Sequence, residues 1–522
     1  MKAAHVLRLI GIAAVAAAIL ATTTALPLGS AGSPVDVSYA GPRALQGDIR
    51  LRADATARGA RIVAVTFLLD RSVIGSDATP PYALDVSTRL LPPGKHILRV
   101  VAVDSRGRRA AGRPIPVRIR PGGARIVSAS STRGLSRALA ALRAGGVTVR
   151  LAPGRYVLSD VTLGSGSRLV GSGPRTVVIP PPGVAYFALL IARGSGIRVS
   201  DLAIDGGGPG EGKGIGVAVW EGSNDVRLQR LRFTRVRGDG VNAWGHHADI
   251  SLQDSTLDGG GTAHSGVRVF GSDASRDVSV MRTAIRGFRG YGIVFAQKEY
   301  GRPAAALHAL ALDNTISDIS DPQHAICSVE PLTPGCGTSE AGIESGGVSA
   351  AIVGNTIRRT RWDGIETVGS STGVSITAND IAQTRVGIYL ERSTVGSRIE
   401  GNRISSVRTG VNIEWLHEGA GSRGNAIVRN EIVGARHAPI FVDVGADENR
   451  IERNLLVGGA RPAIVIQGSS RNLVRLNRAC RASGAVVAQR AGLWEDGREA
   501  QPTENRIARN VSVRSCSSSR RP

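Results

Sequence analysis

Five carboxyl side chains recur in one local frame in the second half of the 522-residue chain: Glu344, Glu366, Glu391, Glu414 and Asp443. The frame is a short apolar run after a small residue or proline, as in Gly364-Ile365-Glu366-Thr367, Gly387-Ile388-Tyr389-Leu390-Glu391 and Gly410-Val411-Asn412-Ile413-Glu414. Further upstream the same frame carries Trp220, Trp244 and Phe270, with Asn242 and Arg268 beside them. Asp239 and Asp363 precede their runs, and His246 follows one. Two carboxyl groups flanking a glycosidic bond can protonate the leaving oxygen and activate or supply the nucleophile, at ~5 Å for retention or ~6.5–9.5 Å for inversion. Aromatic rings beside carboxylates suit sugar rings. The catalytic candidates are therefore Glu366, Glu391 and Glu414, supported by Asp443, Arg268 and His246. The substrate-binding candidates are Trp220, Trp244, Phe270, Tyr389, Asn242, Asn412, Asp239 and Asp363.

Strand geometry decides which of these share a face. Side chains alternate with period two along a strand. The first and third residues after the glycine are aliphatic in nearly every run, for example Val217/Val219, Ile293/Phe295, Ile388/Leu390 and Val411/Ile413. They must fill a core, so the second and fourth residues point outward. Stacked runs would bring like charges within ~4.8 Å, which is unfavourable without a raised pKa, a bound cation or a basic partner. Arg392 and His417 are local candidates for the last role. Glu366 and Glu391 then differ by one strand and two residues, roughly 8 Å between Cα atoms.

The stacking itself is predicted by a repeat. Asn355, Asn379, Asn402, Asn430, Asn454 and Asn477 follow one another at steps of 24, 23, 28, 24 and 23 residues. A fixed asparagine between short apolar runs at this period marks a β-solenoid. A second asparagine lies five positions earlier in several repeats, as in Asn425/Asn430, Asn449/Asn454 and Asn472/Asn477. Asparagine suits a tight turn because it tolerates the left-handed region and can bond along a stack. These residues are assigned a structural role.

Ahead of the repeat, residues 35–120 hold short strand-like runs separated by Pro80-Pro81, Pro92-Pro93-Gly94 and Ser105-Arg106-Gly107, the pattern of a β-sandwich. Residues 121–146 read as a linker and a helix from about Thr132 to Ala144, with Leu135, Leu139 and Leu142 at helical spacing. That helix would cap a solenoid spanning residues 147–516 and cover its first strand edge. Residues 1–31 have the basic start, short apolar run and small residues of a secretory signal peptide. No later stretch could span a bilayer. Export fits the four cysteines, with Cys327–Cys336 and Cys480–Cys516 the simplest disulfide pairing. Net charge is +23, but only four of the 65 basic residues are lysine and no dense basic block occurs beyond Arg520-Arg521. That dispersion argues against a nucleic-acid partner, whereas long-range attraction of an acidic polysaccharide is compatible with it.

Two stretches resemble known families. Residues 81–108 resemble the Ig-like modules appended to secreted bacterial enzymes. The run Val147-Thr148-Val149-Arg150-Leu151-Ala152-Pro153-Gly154, together with the asparagine repeat, resembles pectin-lyase-like right-handed parallel β-helices over residues 145–515. The resemblance implies an all-β fold class of ten or more rungs and leaves the reaction open, because that fold carries lyases, hydrolases, epimerases and non-catalytic proteins. Pectate-lyase-like enzymes eliminate beside a uronate with Ca2+ held by acids. Here Glu344 and Glu366 would hold the ion and Arg268 or His246 would be the base; hydrolysis needs no cofactor. Asp321-Pro322-Gln323-His324 is similar to the Asp-Pro-His-Asp motif of alginate epimerases but departs at two positions. A binding-only solenoid would keep the aromatic platform and need no particular acid.

Overall fold

The computed structural model describes residues 34–514, apart from 89–90, 121, 123–125, 131, 159, 180–186, 208–213, 272–274, 298–307, 321–339, 415–420, 460–461, 481–484 and 495–496. The signal-like segment, Asp321-Pro322-Gln323-His324, His417, Cys327, Cys336 and Cys516 thus lie outside the described residues. Cys480 is fully buried at the end of the strand Arg478–Cys480. No helix among the described residues is long and apolar enough to cross a membrane. The chain divides into two units, Met1–Arg125 and Ile126–Pro522.

The first unit is a small antiparallel β structure. Val35–Tyr39, Asp48–Ala57 and Ala83–Ser87 form one sheet. Gly94–Asp104 and Ile62–Leu69 centre the other. Alternate residues Leu51, Phe67, Leu98 and Val100 are fully buried between them. The turn at Ser105-Arg106-Gly107 is held by buried Asp104, which accepts from the backbone N–H of Arg106 and Arg108, both at 2.9 Å. A buried carboxylate that accepts several donors is the usual way such a charge is tolerated.

The second unit is a parallel solenoid. One ladder contains 15 parallel strands, and two further ladders merge into a 25-stranded sheet. Its first strand is Ile126–Ala129, which pairs in parallel with Thr148–Leu151. The ladder therefore starts before the helix Thr132–Ala144 and ahead of Val147, because the chain lays down one strand before it turns to close the end. Ala138 and Leu142 of that helix are fully buried against the solenoid core, with Leu135 and Leu139 packed beside them. Inside, each strand stacks its apolar position on the next. Ile343, Ile365, Ile388, Val411, Ile440 and Ile464 form one continuous column with no solvent exposure. The preceding glycines are there for space: a Cβ at Gly387 would lie 2.5 Å from the Gly410 carbonyl oxygen and 2.5 Å from Ile404 Cγ2.

The repeat asparagines form a buried amide ladder. Asn402 Nδ2 donates to Asn430 Oδ1 at 2.9 Å and to the Ile376 carbonyl at 2.9 Å. The same Asn430 Oδ1 also accepts from the Asn402 backbone N–H at 3.0 Å. This pattern repeats from Asn314 to Asn510. A second ladder runs through Asn425, Asn449, Asn472 and Asn505. The left-handed turn conformation falls on the residue before each asparagine, for example Ala378, Arg429, Arg453 and Leu476, and not on the asparagine as expected. The asparagine must keep its side chain inside the turn to reach the next rung, so its neighbour takes the positive φ.

Outside the turns, Asp and Arg alternate from rung to rung. Arg230 pairs with Asp201 at 2.6 Å and Arg282 with Asp254 at 2.7 Å; in a second column Arg235 pairs with Asp205 and Arg286 with Asp258. These four arginines are therefore bound into the wall.

Removing one amide from the ladder strands donors and acceptors on both neighbours, each worth about 1–3 kcal/mol when buried. Asn430→Ala is expected to destabilise by about 3 kcal/mol or more. Asn510→Ala, at the half-exposed end of the ladder, is expected to cost clearly less. Denaturant unfolding, with amide exchange of the flanking rungs, measures both.

Candidate functional site

The second residue of each frame forms one column on the outer surface of the sheet. Its order is Ala218, Asn242, Arg268, Val294, Glu344, Glu366, Tyr389, Asn412, Phe441 and Val465. The fourth residue forms its companion: Trp220, then Trp244 and Phe270, then Ala296, Gly346 and Val368, then Glu391, Glu414 and Asp443 just past their strands. Asp363 opens the strand Asp363–Val368, directly ahead of the glycine.

These columns bring Asp363, Glu366, Glu391 and Glu414 into electrostatic contact, with Glu344 at one end and Asp443 at the other. They are less open than outward-pointing positions suggest: Glu366 is 1% exposed, Asp363 5% and Glu391 7%. Burial drives the Glu366 carboxyl well above the usual range, and Asp363, Glu344 and Glu391 push it further. Glu391 adds to that rise both through its charge and as a hydrogen-bonding neighbour of Glu366. Glu366 Oε2 has no hydrogen-bond partner among the described residues. Glu391 has its own counterion, Arg392 Nε at 3.0 Å from Oε1.

Glu414 is partly open. Burial pushes it up to about 7, with Asp443 and Glu391 adding to the rise, while donors from Tyr389 and Asn412 work against it. Tyr389 Oη donates to Glu414 Oε2 at 2.6 Å, and Asn412 Nδ2 donates to the same oxygen at 3.0 Å. Burial and the charge of Glu414 raise the Tyr389 phenol well above its ordinary value. Asp443 accepts from the Val444 backbone N–H at 2.8 Å and from Gln467 Nε2 at 3.2 Å. Burial also raises Asp363 well above the usual range, Glu391 raises it further, and Arg385 partly offsets this. The Arg385 guanidinium lies 4.1 Å over the Trp362 ring.

The other candidates are not brought to these acids. Arg268 lies two strand steps from Glu344 in the same column, over the Phe270 ring at 4.8 Å. Trp244 packs on Phe270 with ring centroids 5.3 Å apart. Asn242 Nδ2 donates to Asp239 Oδ2 at 2.7 Å. His246 is exposed beyond the strand Val241–Gly245 that carries Trp244. The face thus holds two polar centres, one aromatic and cationic, one acidic. His264 and Tyr291, which alternation alone did not single out, belong to the first centre, with ring centroids 5.9 Å apart. Their only sequence signal is their place just ahead of Gly266 and Gly292.

Residues 339–520 match a family model described as periplasmic copper-binding protein (NosD), and residues 39–100 match one described as bacterial Ig domain. No curated protein matches the chain. Among solved structures, the fibronectin(III)-like modules of Clostridium thermocellum CbhA are 28% identical over 17% of this chain and 47% of that one, with a TM-score of 0.15. This chain therefore spans about half the length of those modules. The Azotobacter vinelandii mannuronan C-5 epimerase AlgE6 A-module is 15% identical over 73% of this chain and 93% of its own, TM-score 0.36. PfbA, a surface adhesin of Streptococcus pneumoniae, is 12% identical over 71% and 89%, TM-score 0.43.

The residues do not fit copper. Copper takes imidazole, thiolate and thioether donors. Residues 339–520 contain no methionine and only two histidines, His417 and His437. His437 is stacked on Phe441 at 5.4 Å, and Cys480 is fully buried and not a free thiol. Nor do any three His, Cys, Asp or Glu side chains among the described residues converge as a metal ion requires. The Glu344–Glu366 pair named for Ca2+ therefore lacks a third carboxylate ligand there.

Carboxyls raised on folding hold protons that the unfolded chain releases. Their stabilising contribution is complete below the unfolded value of 4.5 and is lost as pH rises through about 7 for Glu414. Glu414→Gln, which cannot titrate, is expected to lose less stability than the parent between about pH 5 and about pH 8. Denaturation midpoints across that range test this; parallel curves would refute it.

Proposed function

We propose, taking the chain as a pectin-lyase-like right-handed parallel β-helix with an N-terminal bacterial Ig-like module, that it is an exported protein that binds a polysaccharide along its outer columns and cleaves glycosidic bonds by acid–base hydrolysis. The periplasmic setting in the printed name of the family model and the Ig-like module support export. One observation carries the reaction: Glu366, raised well above the usual carboxylate range by burial and by Asp363, Glu344 and Glu391, stands in one group with Glu414, a carboxyl pushed up to about 7. Hydrolysis needs one carboxyl protonated and one ionised at the same pH. Glu414, partly open and protonated near neutrality, is the acid. Glu391, with Arg392 at hand, is the base or nucleophile. Glu366, its carboxyl raised by burial, stands beside Glu391, and Tyr389 and Asn412 orient Glu414.

Elimination is less well supported. The basic candidates Arg268 and His246 stand apart from the acids, and Glu366 as a Ca2+ ligand would have to ionise against its burial. A binding-only solenoid is also disfavoured, since it gains nothing from crowding like charges in a buried column.

The purified protein should release reducing ends from a polysaccharide panel without ultraviolet-absorbing unsaturated ends and without sensitivity to chelator. Glu391→Gln should reduce turnover by about 10²–10⁴-fold and leave polysaccharide retention unchanged. Activity should fall as pH rises through about 7, and Glu414→Gln should remove that limb along with most of the rate. Ultraviolet-absorbing products would favour the lyase reading. Retention without turnover in the parent protein would favour binding alone.

A further inference from the structure

The outer columns are open over a short stretch only. On an uncovered sheet face a side chain stands clear of the backbone and is largely exposed. Trp244 fits that description at 40% exposure. On the rungs between it and the acids the face is closed: Val294 is 2% exposed, Glu344 4% and Val368 8%, and Ala296 and Gly346 are buried with them. The closure runs on through Glu366 and Glu391. It ends there, since Tyr389, Asn412 and Glu414 are partly exposed.

Downstream the two columns part. Phe441 and Val465, which follow Asn412 in the second-residue column, are buried. In the companion column Asp443 and Gln467 are partly exposed and Arg490 is exposed. Gln467 Nε2 donates to Asp443 Oδ1 at 3.2 Å, and Gln467 pairs in register with Arg490, so an open line continues from Glu414 past these three. At the strand starts Asp363, Thr409 and Ala438 are buried, with Val386 partly exposed among them. Along its columns the acid centre is therefore a blind cleft, closed toward the N-terminal rungs and open toward the C-terminal ones. A polymer has no way through it lengthwise, whereas a chain end fits.

A chain end differs from a chain interior by a free hydroxyl in place of a glycosidic oxygen, and a free hydroxyl both donates and accepts. The blind end holds two polar atoms that lack a hydrogen-bond partner among the described residues, Glu366 Oε2 and Asn412 Oδ1, on the rungs either side of Tyr389. Leaving such buried atoms unpaired carries a cost that a ligand hydroxyl relieves. The roles of the acids decide which end enters. Glu391, at the closed side, works at the anomeric carbon, and Glu414, at the open side, protonates the departing oxygen. The departing part then leaves past Asp443 and Gln467, and the sugar held behind is the non-reducing terminal one.

We infer, resting on the hydrolytic reading above, that the protein works from chain ends: the non-reducing terminal sugar of a polysaccharide seats at Tyr389 and Asn412 and is released as a monosaccharide. Those two residues are one rung apart, ~4.8 Å, room for about one sugar ring. With Glu391 as base, the bond from the anomeric carbon to the glycosidic oxygen breaks and that oxygen takes the Glu414 proton. Water supplies the hydroxyl that forms the new bond and gives its proton to Glu391. Each cycle consumes one water and shortens the chain by one sugar, and the same balance holds with Glu391 as nucleophile.

Calorimetric titration of the Glu391→Gln protein with xylo-, cello-, galacturono- and mannurono-hexasaccharides measures which end is held. In the series that binds, a methyl group on the 4-hydroxyl of the non-reducing end is expected to weaken binding about tenfold or more, and reduction of the opposite end to the alditol to leave it unchanged. On the matching polysaccharide the parent protein should yield monosaccharide as the first product, with little loss of viscosity. Mixed oligosaccharides at the earliest times, binding indifferent to the methyl cap, or no binding in any series overturns the inference. Cap-sensitive binding with no sugar released by the parent overturns the hydrolytic reading and leaves the end-binding cleft standing; early mixed oligosaccharides do the reverse.

Discussion

The amide ladder is the constraint from which the outer face follows. Each buried asparagine donates to and accepts from its neighbours one rung away, so no turn can slip by a residue without stranding several polar groups. Register fixed at the turn is register fixed along the whole strand. The stacking of Glu344 on Glu366, of Glu366 on Tyr389 and of Tyr389 on Asn412 is therefore set by residues on the far side of the coil. The isoleucine column and the close-packed glycines act in the same sense, since Gly387 admits no side chain between two rungs.

That rigidity is what allows an unfavourable surface column to exist. Stacked carboxyls at rung spacing repel, and burial raises the cost of ionising them. The chain meets the cost locally: a Glu366 carboxyl raised well above the usual range, a counterion at Arg392, donors from Tyr389 and Asn412 to Glu414, and Arg385 near Asp363. In a solenoid, energy is exchanged chiefly between neighbouring rungs. A few strained rungs can then be tolerated between well-bonded ones without loss of the whole. The walls contribute through the alternating Asp–Arg pairs, which tie arginines to the turns and spread positive charge along the surface rather than into a patch.

Much of the architecture was legible because a solenoid writes its geometry at a fixed period. The asparagine spacing gave the stack, the glycine-led alternation gave the inward column, and Leu135, Leu139 and Leu142 marked the closing helix. The columns of the outer face follow from those three patterns alone. What alternation cannot convey is what covers the outer face, so Glu366 and Asp363 read as outward yet are buried. Nor does it identify contacts made from the turns. Arg385 reaches over Trp362, and His264 approaches Tyr291, through residues outside the repeating frame. The left-handed residue of each turn was misplaced by one position because the general preference of asparagine for that conformation competes with its amide bonds, and in a stack the bonds win.

The division of the outer face into two centres has a physical logic of its own. An acid needs burial and like-charged neighbours to keep its proton near neutrality, and such surroundings bind a neutral sugar poorly. Aromatic rings and a guanidinium bind sugars well but would draw a nearby carboxyl toward ionisation. Placing Arg268 beside Glu414 would weaken the feature that holds that group at about 7. Along a rigid ladder the interval between the two centres is fixed in whole rungs, which keeps Arg268 away from Glu414.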